Sequence, residues 1–376
     1  MGVAPDVTLL LADCWANDYT QYIHWAEQNG ARVMLYEFGS WIQEFLDGSS
    51  NFEQMLDSES AKGIVQVAPA GNLADGSKHA HPVLGTVSPH LVRFLVPPGG
   101  GIREAWLSIL WHGPTDALNV ELITPGGNAV SLPGNGTITS VDGHSILTTR
   151  DHSVRETSRF DIHIGRGGLP LAENNWTLRL RNNLSYGLSV HAYAYDPDHD
   201  WSGGVMFLDS VDSFSTVTSP ATADSAIAVA SYASRGRGGD QPGVLSPFSG
   251  MGPRLDGEPV LDVAAPGHYA DIACASSRDL AGATIGQYAW FGGTSAAVAH
   301  VAGAVALLRQ AHSYLKPADI TEWLQVTARQ DANTGIVPNE NWGYGKVDVA
   351  AAVEAIPTVT PTPRFRHYLP ILWRRR

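Results

Sequence analysis

Cysteine is nearly absent from this chain: there are two in 376 residues, Cys14 and Cys274. Two distant cysteines cannot build a disulfide framework, and one bridge or two free thiols fit them equally well. Charge is scarce as well. Only 16% of the residues are Asp, Glu, Lys or Arg, below the roughly 25% of ordinary soluble domains. Basic residues are the rarer sign, 24 against 37 acidic ones, and the net charge of −13 excludes nucleic acid as an expected partner. No apolar run reaches the ~18 residues of a membrane-spanning helix. The first residues lack the basic segment and apolar core of a secretion signal.

What is present is a 44% apolar chain with 39 glycines and 11 tryptophans, long enough for two domains and a large core. Its most informative stretch is 292–303, Gly-Gly-Thr-Ser-Ala-Ala-Val-Ala-His-Val-Ala-Gly. Gly292 and Gly293 permit a tight turn and close approach of other backbone. Thr294 or Ser295 is placed to cap a helix, and residues 297–308 are apolar nearly all round, which predicts a buried helix. A hydroxyl at such a helix mouth lies where N–H groups and the helix dipole favour negative charge. That suits a nucleophile whose attack creates an oxyanion. A serine that only caps a core helix would have the same local text.

Residues 7–12 read as a buried strand, 19–29 as a helix closed by Gly30, and 32–38 as a second strand. That order predicts a βαβ unit and a parallel sheet. Residues 52–60 read as another helix. Residues 63–72 read as an apolar strand ending in the turn Ala70-Gly71-Asn72. From about residue 89 the pattern changes. Stretches 91–96, 105–111, 118–124, 159–164, 175–181 and 188–195 are short strands, several of them alternating, between turns rich in Pro, Gly and Asn. They predict an all-β sandwich or jelly roll over 89–199. The α/β style resumes near residue 200, with a strand at 225–232 and a helix at 317–326. Residues 357–363 are a Pro/Thr linker, followed by a short apolar patch, 368–373, and three arginines.

The string 292–303 resembles the nucleophile motif of the subtilisin-like serine proteases, Gly-Thr-Ser-Met-Ala-x-Pro-His-Val-Ala-Gly. Gly293, Thr294, Ser295, His300 and Gly303 match it. Ala296, Val298 and Ala299 depart from it. Further matches fall in the family's order: Gly2-Val3-Ala4-Pro5, Ala70-Gly71-Asn72, Phe248-Ser249, Asp256-Gly257, and Ala265-Pro266-Gly267. The resemblance implies a subtilisin-like α/β fold over 1–88 and 200–355, with the sandwich inserted. It implies Ser295 as nucleophile and Asn72 as oxyanion donor. Substrate would lie along Glu37-Phe38-Gly39, Ala70, Gly71, Gly293 and Thr294. His300 is a packing residue in this reading, and Glu37 departs from the family's usual Ser.

The family's catalytic His and Asp precede the Gly-Val-Ala-Pro text, which here begins at residue 2, and none of the 14 histidines has the right context to be the base. The resemblance therefore implies a serine endopeptidase represented by its C-terminal portion. That portion is expected to be inactive alone and to present an exposed sheet edge. The alternative is an inactive relative used for binding or as a scaffold. The implied partners are a polypeptide substrate and the missing N-terminal segment. No cofactor is expected, structural calcium remains open, and the full-length protein is expected outside the cell or at its surface.

Overall fold

A computed structural model describes residues 2–12, 19–199, 201–236, 241–268, 274–275, 288–289 and 292–356. Helix α1 (Tyr19–Gln28) leads through Gly30, whose φ of +84° is the left-handed conformation that ends a helix, into the strand Val33–Leu35. Helix α2 (Asn51–Ala61) precedes Val65–Pro69. These two strands pair in parallel, and Ala226–Ala233 and Val263–His268 extend the sheet in that order, also in parallel. Ala226–Ala233 is buried at every position. It reads as an unbroken apolar run because both faces of a parallel sheet are covered.

Helix α3 (Thr294–Ala311) lies on one face. Its Ala297, Val298, Val301, Val305 and Leu308 pack on Val65, Val67, Ile227 and Val229. Helices α4 (Pro317–Val326) and α5 (Val349–Ala355) add Ile320, Leu324 and Ala352 to the same core. The opposite face holds Ile23 of α1 and Leu56 of α2 against Ala68, Ala228 and Ala230.

Between Asn72 and Ala226 the chain turns antiparallel. One sheet orders His79–Ala80, His191–Tyr195, Glu104–His112, Thr157–Gly165, His144–His152 and Asn135–Val141. The other orders Met206–Phe207, His90–Val96, Asn174–Asn182, Leu118–Ile123 and Ala129–Leu132. Phe94, Leu107, Ile109, Phe160, Ile162, Trp176 and Leu178 join both sheets in one core. The antiparallel strands thus begin at His79 and end at Phe207, outside the expected limits of 89 and 199. The outlying strands, of two residues each, are too short to show alternation in the sequence.

Side chains bind this block to the parallel sheet's side of the molecule. Trp41 Nε1 donates to the Ala194 carbonyl at 3.0 Å, and Tyr193 OH to the Ser215 carbonyl at 2.6 Å. Ser153 Oγ donates to Asp47 Oδ2 at 2.6 Å, and Arg155 and Arg254 both pair with Asp224. Trp41, Phe45, Leu46, Leu73, Leu110 and Tyr193 form a separate apolar cluster.

The strand expected near the N-terminus does not form. Residues 7–12 are not a strand. Val7, Leu9 and Leu11 stand 46%, 70% and 83% exposed. An extended segment becomes a strand only by pairing, and Val33–Leu35, which ends the parallel sheet, takes Val65–Pro69 as its partner. Cys14, the side chain of Cys274 and the tail 357–376 lie outside the described residues.

Candidate active site

The site forms where the strand Val65–Pro69 runs out into Ala70-Gly71-Asn72 and meets the start of α3. Gly293 is the N-cap of α3, with φ +112° and ψ 171°. Neither Thr294 nor Ser295 takes that position, contrary to the sequence expectation, because Gly293 adopts the conformation required there. Its N–H donates to the Gly267 carbonyl at 2.8 Å, which ties the cap to the end of Val263–His268.

The capping side chain comes from 222 positions away. Asn72 Oδ1 accepts the Thr294 N–H at 2.9 Å and the Thr294 hydroxyl at 3.0 Å. A backbone N–H can only donate, so the Asn72 atom facing it is the oxygen. The amide nitrogen is therefore the atom left to donate elsewhere. It lies 3.2 Å from where a Cβ on Gly293 would stand. Thr294 Oγ1 in turn accepts the Gly71 N–H at 3.1 Å. Asn72, Gly71 and Thr294 thus form a closed network at a helix N-terminus, where partial positive charge collects.

Ser295 is half-buried in the first turn of α3. Its Oγ donates to the Glu37 carbonyl at 3.3 Å, so residue 37 is brought to the serine through its backbone. The Glu37 side chain is exposed, yet protein mass nearby raises its carboxyl above the ordinary range. Phe38 turns away from the serine into an aromatic cluster, 5.0 Å from Tyr19, 5.9 Å from Tyr36 and 5.8 Å from Phe52 between ring centroids. Ala70 is buried and held on both sides, its N–H by Val229 and its carbonyl by Thr218. His300 Nδ1 lies 2.9 Å from the Ala296 carbonyl, one turn back on the same helix, as a packing residue would.

Two further residues hold this arrangement together, and one of them carried no functional signal in the sequence. Thr218 is fully buried between the segments at Gly39 and Gly71; its Oγ1 would clash with a Cβ built on Gly39 and lies 2.6 Å from one built on Gly71. Both positions therefore need glycine. Gly267 is equally confined, with Ser231 Oγ at 2.4 Å and the Gly293 carbonyl at 2.6 Å from its built Cβ. The Ala-Pro-Gly text marked Gly267, whereas nothing in the sequence distinguishes Thr218 from its neighbours.

The model of the subtilase family of peptidases matches residues 200–345, the part that contains Ser295. An uncharacterized protein, aq_aa18, of Aquifex aeolicus (strain VF5) is 31% identical over 146 residues. That alignment covers 36% of this chain and 61% of the relative, so the chain spans under two thirds of that relative's length. Among solved structures, the Clostridium perfringens CspB protease has a similar fold, with a TM-score of 0.70 at 20% identity. The likeness covers 88% of this chain and 68% of that one.

Proposed function

We propose that this chain carries the nucleophile and oxyanion donors of a subtilisin-like serine endopeptidase. One observation supports the reading above the others: the Asn72 side chain is fixed against the first turn of α3 that bears Ser295. Acyl transfer needs a nucleophile and preorganised donors aimed at one developing oxyanion. In this reading Ser295 Oγ attacks the peptide carbonyl, and the Asn72 amide and the Ser295 N–H stabilise the oxyanion. Backbone at 37–39 and at 70–71 and the turn at Gly293 and Thr294 hold the polypeptide. The base and its orienting acid come from an Asp- and His-bearing segment outside these 376 residues. The antiparallel block is a jelly-roll-type insert that braces the catalytic part, and the complete protein works outside the cell or at its surface. The subtilase match and the shared fold support a protease-like function.

A second reading is an inactive relative whose cleft is kept for binding. It draws on the Ser295 hydroxyl, which donates to a backbone carbonyl that cannot take up its proton. A fluorophosphonate probe separates the two. The chain as it stands is expected to remain unlabelled. The chain extended upstream in its own reading frame is expected to be labelled at Ser295 and to lose labelling in Ser295→Ala. Asn72→Ala should lower kcat by about 10²–10³, the range known for subtilisin's own oxyanion asparagine. Rapid labelling of the short chain would place a base within it. Failure to label the extended chain would overturn the protease reading and favour the inactive relative.

A further inference from the structure

We propose that His24, Glu27 and Glu59 form a divalent-metal site of the zinc type that ties α1 to α2. His24 and Glu27 are three positions apart on α1 and so share a face. Glu59 comes from the last turn of α2. One ligand atom from each residue lies within 4.8 Å of the other two. Zinc bonds of ~2.0–2.2 Å place neighbouring ligands roughly 3–4 Å apart, so small side-chain rotations close the sphere.

Glu59 supplies the second observation. Its side chain is 2% exposed, and its Oε2 has no hydrogen-bond partner. A buried carboxylate oxygen left in that state is costly. The other oxygen, Oε1, faces Lys62 Nζ at 2.8 Å, and the same ammonium reaches Glu27 Oε2 at 3.0 Å. The cluster therefore already attracts a cation. Lys62 is 42% exposed on a flexible stem, and it can withdraw into water when a divalent ion arrives. Such an ion would engage both carboxylates and also the imidazole, which an ammonium cannot use as a metal does.

The donor set decides the class of metal. One imidazole nitrogen and two carboxylates suit Zn²⁺. The absence of thiolate disfavours Cu(I), and the nitrogen disfavours the all-oxygen preference of Ca²⁺ and Mg²⁺. Three protein ligands leave room for water. The site would also compensate for a weakness of α1, where Ile23 is the one buried residue and Trp25 is 40% exposed. Helix α1 leads into Val33–Leu35 and then to Glu37, whose carbonyl meets Ser295. A metal here would stiffen that wall of the cleft without touching the chemistry.

The test is titration of the metal-free full chain with Zn²⁺ by calorimetry and with Co²⁺ by visible absorption. One equivalent should bind, with a rise in the thermal midpoint. His24→Ala, at an exposed position where the fold is not at stake, should weaken binding by about tenfold or more. Lys62→Met, which removes the competing ammonium, should tighten it by up to about tenfold. Absence of binding overturns the proposal. So does binding of parental strength by His24→Ala, or weaker binding by Lys62→Met.

Discussion

Glu53 gives the most direct quantitative test. It sits at the start of α2, fully buried, and burial pushes its carboxyl up to about 7 from 4.5. Its Oε2 accepts the Ser50 N–H at 2.8 Å, and its Oε1 contacts the Thr222 hydroxyl. A carboxyl protonated more readily in the folded state contributes stability that is whole below pH 4.5 and is lost as pH rises through 7. The gap between those two values, at about 1.4 kcal/mol per pH unit, comes to about 3–4 kcal/mol, of which about 3 kcal/mol falls above pH 5. Glutamine reproduces the neutral acid: its oxygen accepts from Ser50 and its amide donates to Thr222. Glu53→Gln should therefore match the parent near pH 5 and exceed it by about 3 kcal/mol at pH 9. Glu44, also raised to about 7 by burial, adds a slope of the same sign, and because its charge helps to raise Glu53 the two carboxyls titrate as a coupled pair and the difference includes that coupling. Urea midpoints for the two proteins at pH 5, 7 and 9 provide the measurement. A difference that stays flat within about 0.5 kcal/mol across that range would refute the assignment of a buried, high-pKa carboxyl.

Three further outcomes are expected. Thr294→Val keeps the shape but strands the Gly71 N–H and removes one donor to Asn72; urea unfolding should show a loss of about 1–3 kcal/mol, and an unchanged midpoint would mean the network is not formed. Gly71→Ala must place a Cβ 2.6 Å from Thr218 Oγ1 at a φ of +96°, so it should lose at least about 1–3 kcal/mol, whereas Gly85→Ala, with nothing within 4 Å, should be near neutral. Burial depresses the His79 imidazole to about 4 from 6.5, so it contributes stability that is present above pH 6.5 and lost as pH falls through 4, and burial lowers His191 in the same direction; imidazole resonances followed by NMR should show His79 neutral at pH 5, and a midpoint near 6.5 would contradict its burial.

The candidate site was legible where chemistry restricts the residue type. Gly293-Thr294-Ser295 and Ala70-Gly71-Asn72 could be read because a tight turn, a hydroxyl and an amide have few substitutes at those places. The parallel sheet was legible from its continuous apolar runs, and the central antiparallel strands from alternation, as at Phe160, Ile162 and Ile164. Residues 7–12 misled because composition shows what a segment can do, while pairing decides whether it does. The hairpin from Asn135–Val141 to His144–His152 escaped notice because its edge strand is mostly exposed on both faces and does not alternate. Thr218 was invisible because its role comes entirely from two glycines brought beside it by the fold.

The placement of the antiparallel block has a kinetic consequence. Gln66 and Ala226, partners in the parallel sheet, lie 160 positions apart in the chain. Closing so long a loop is slow and entropically unfavourable. The block's ends, however, are fastened to each other: the His81 N–H donates to the Ser210 carbonyl at 2.7 Å. Once that fastening exists, 15 positions separate Gln66 from His81 and 16 separate Ser210 from Ala226, so the effective loop is about 31. The logarithmic dependence of closure entropy on length makes the difference about 1.5 kcal/mol. The insert should therefore fold first and act as a clamp that delivers two distant strands to each other. Pulse-labelled hydrogen exchange during refolding should protect Glu104–His112 before Ala226–Ala233, and the reverse order would rule the clamp out.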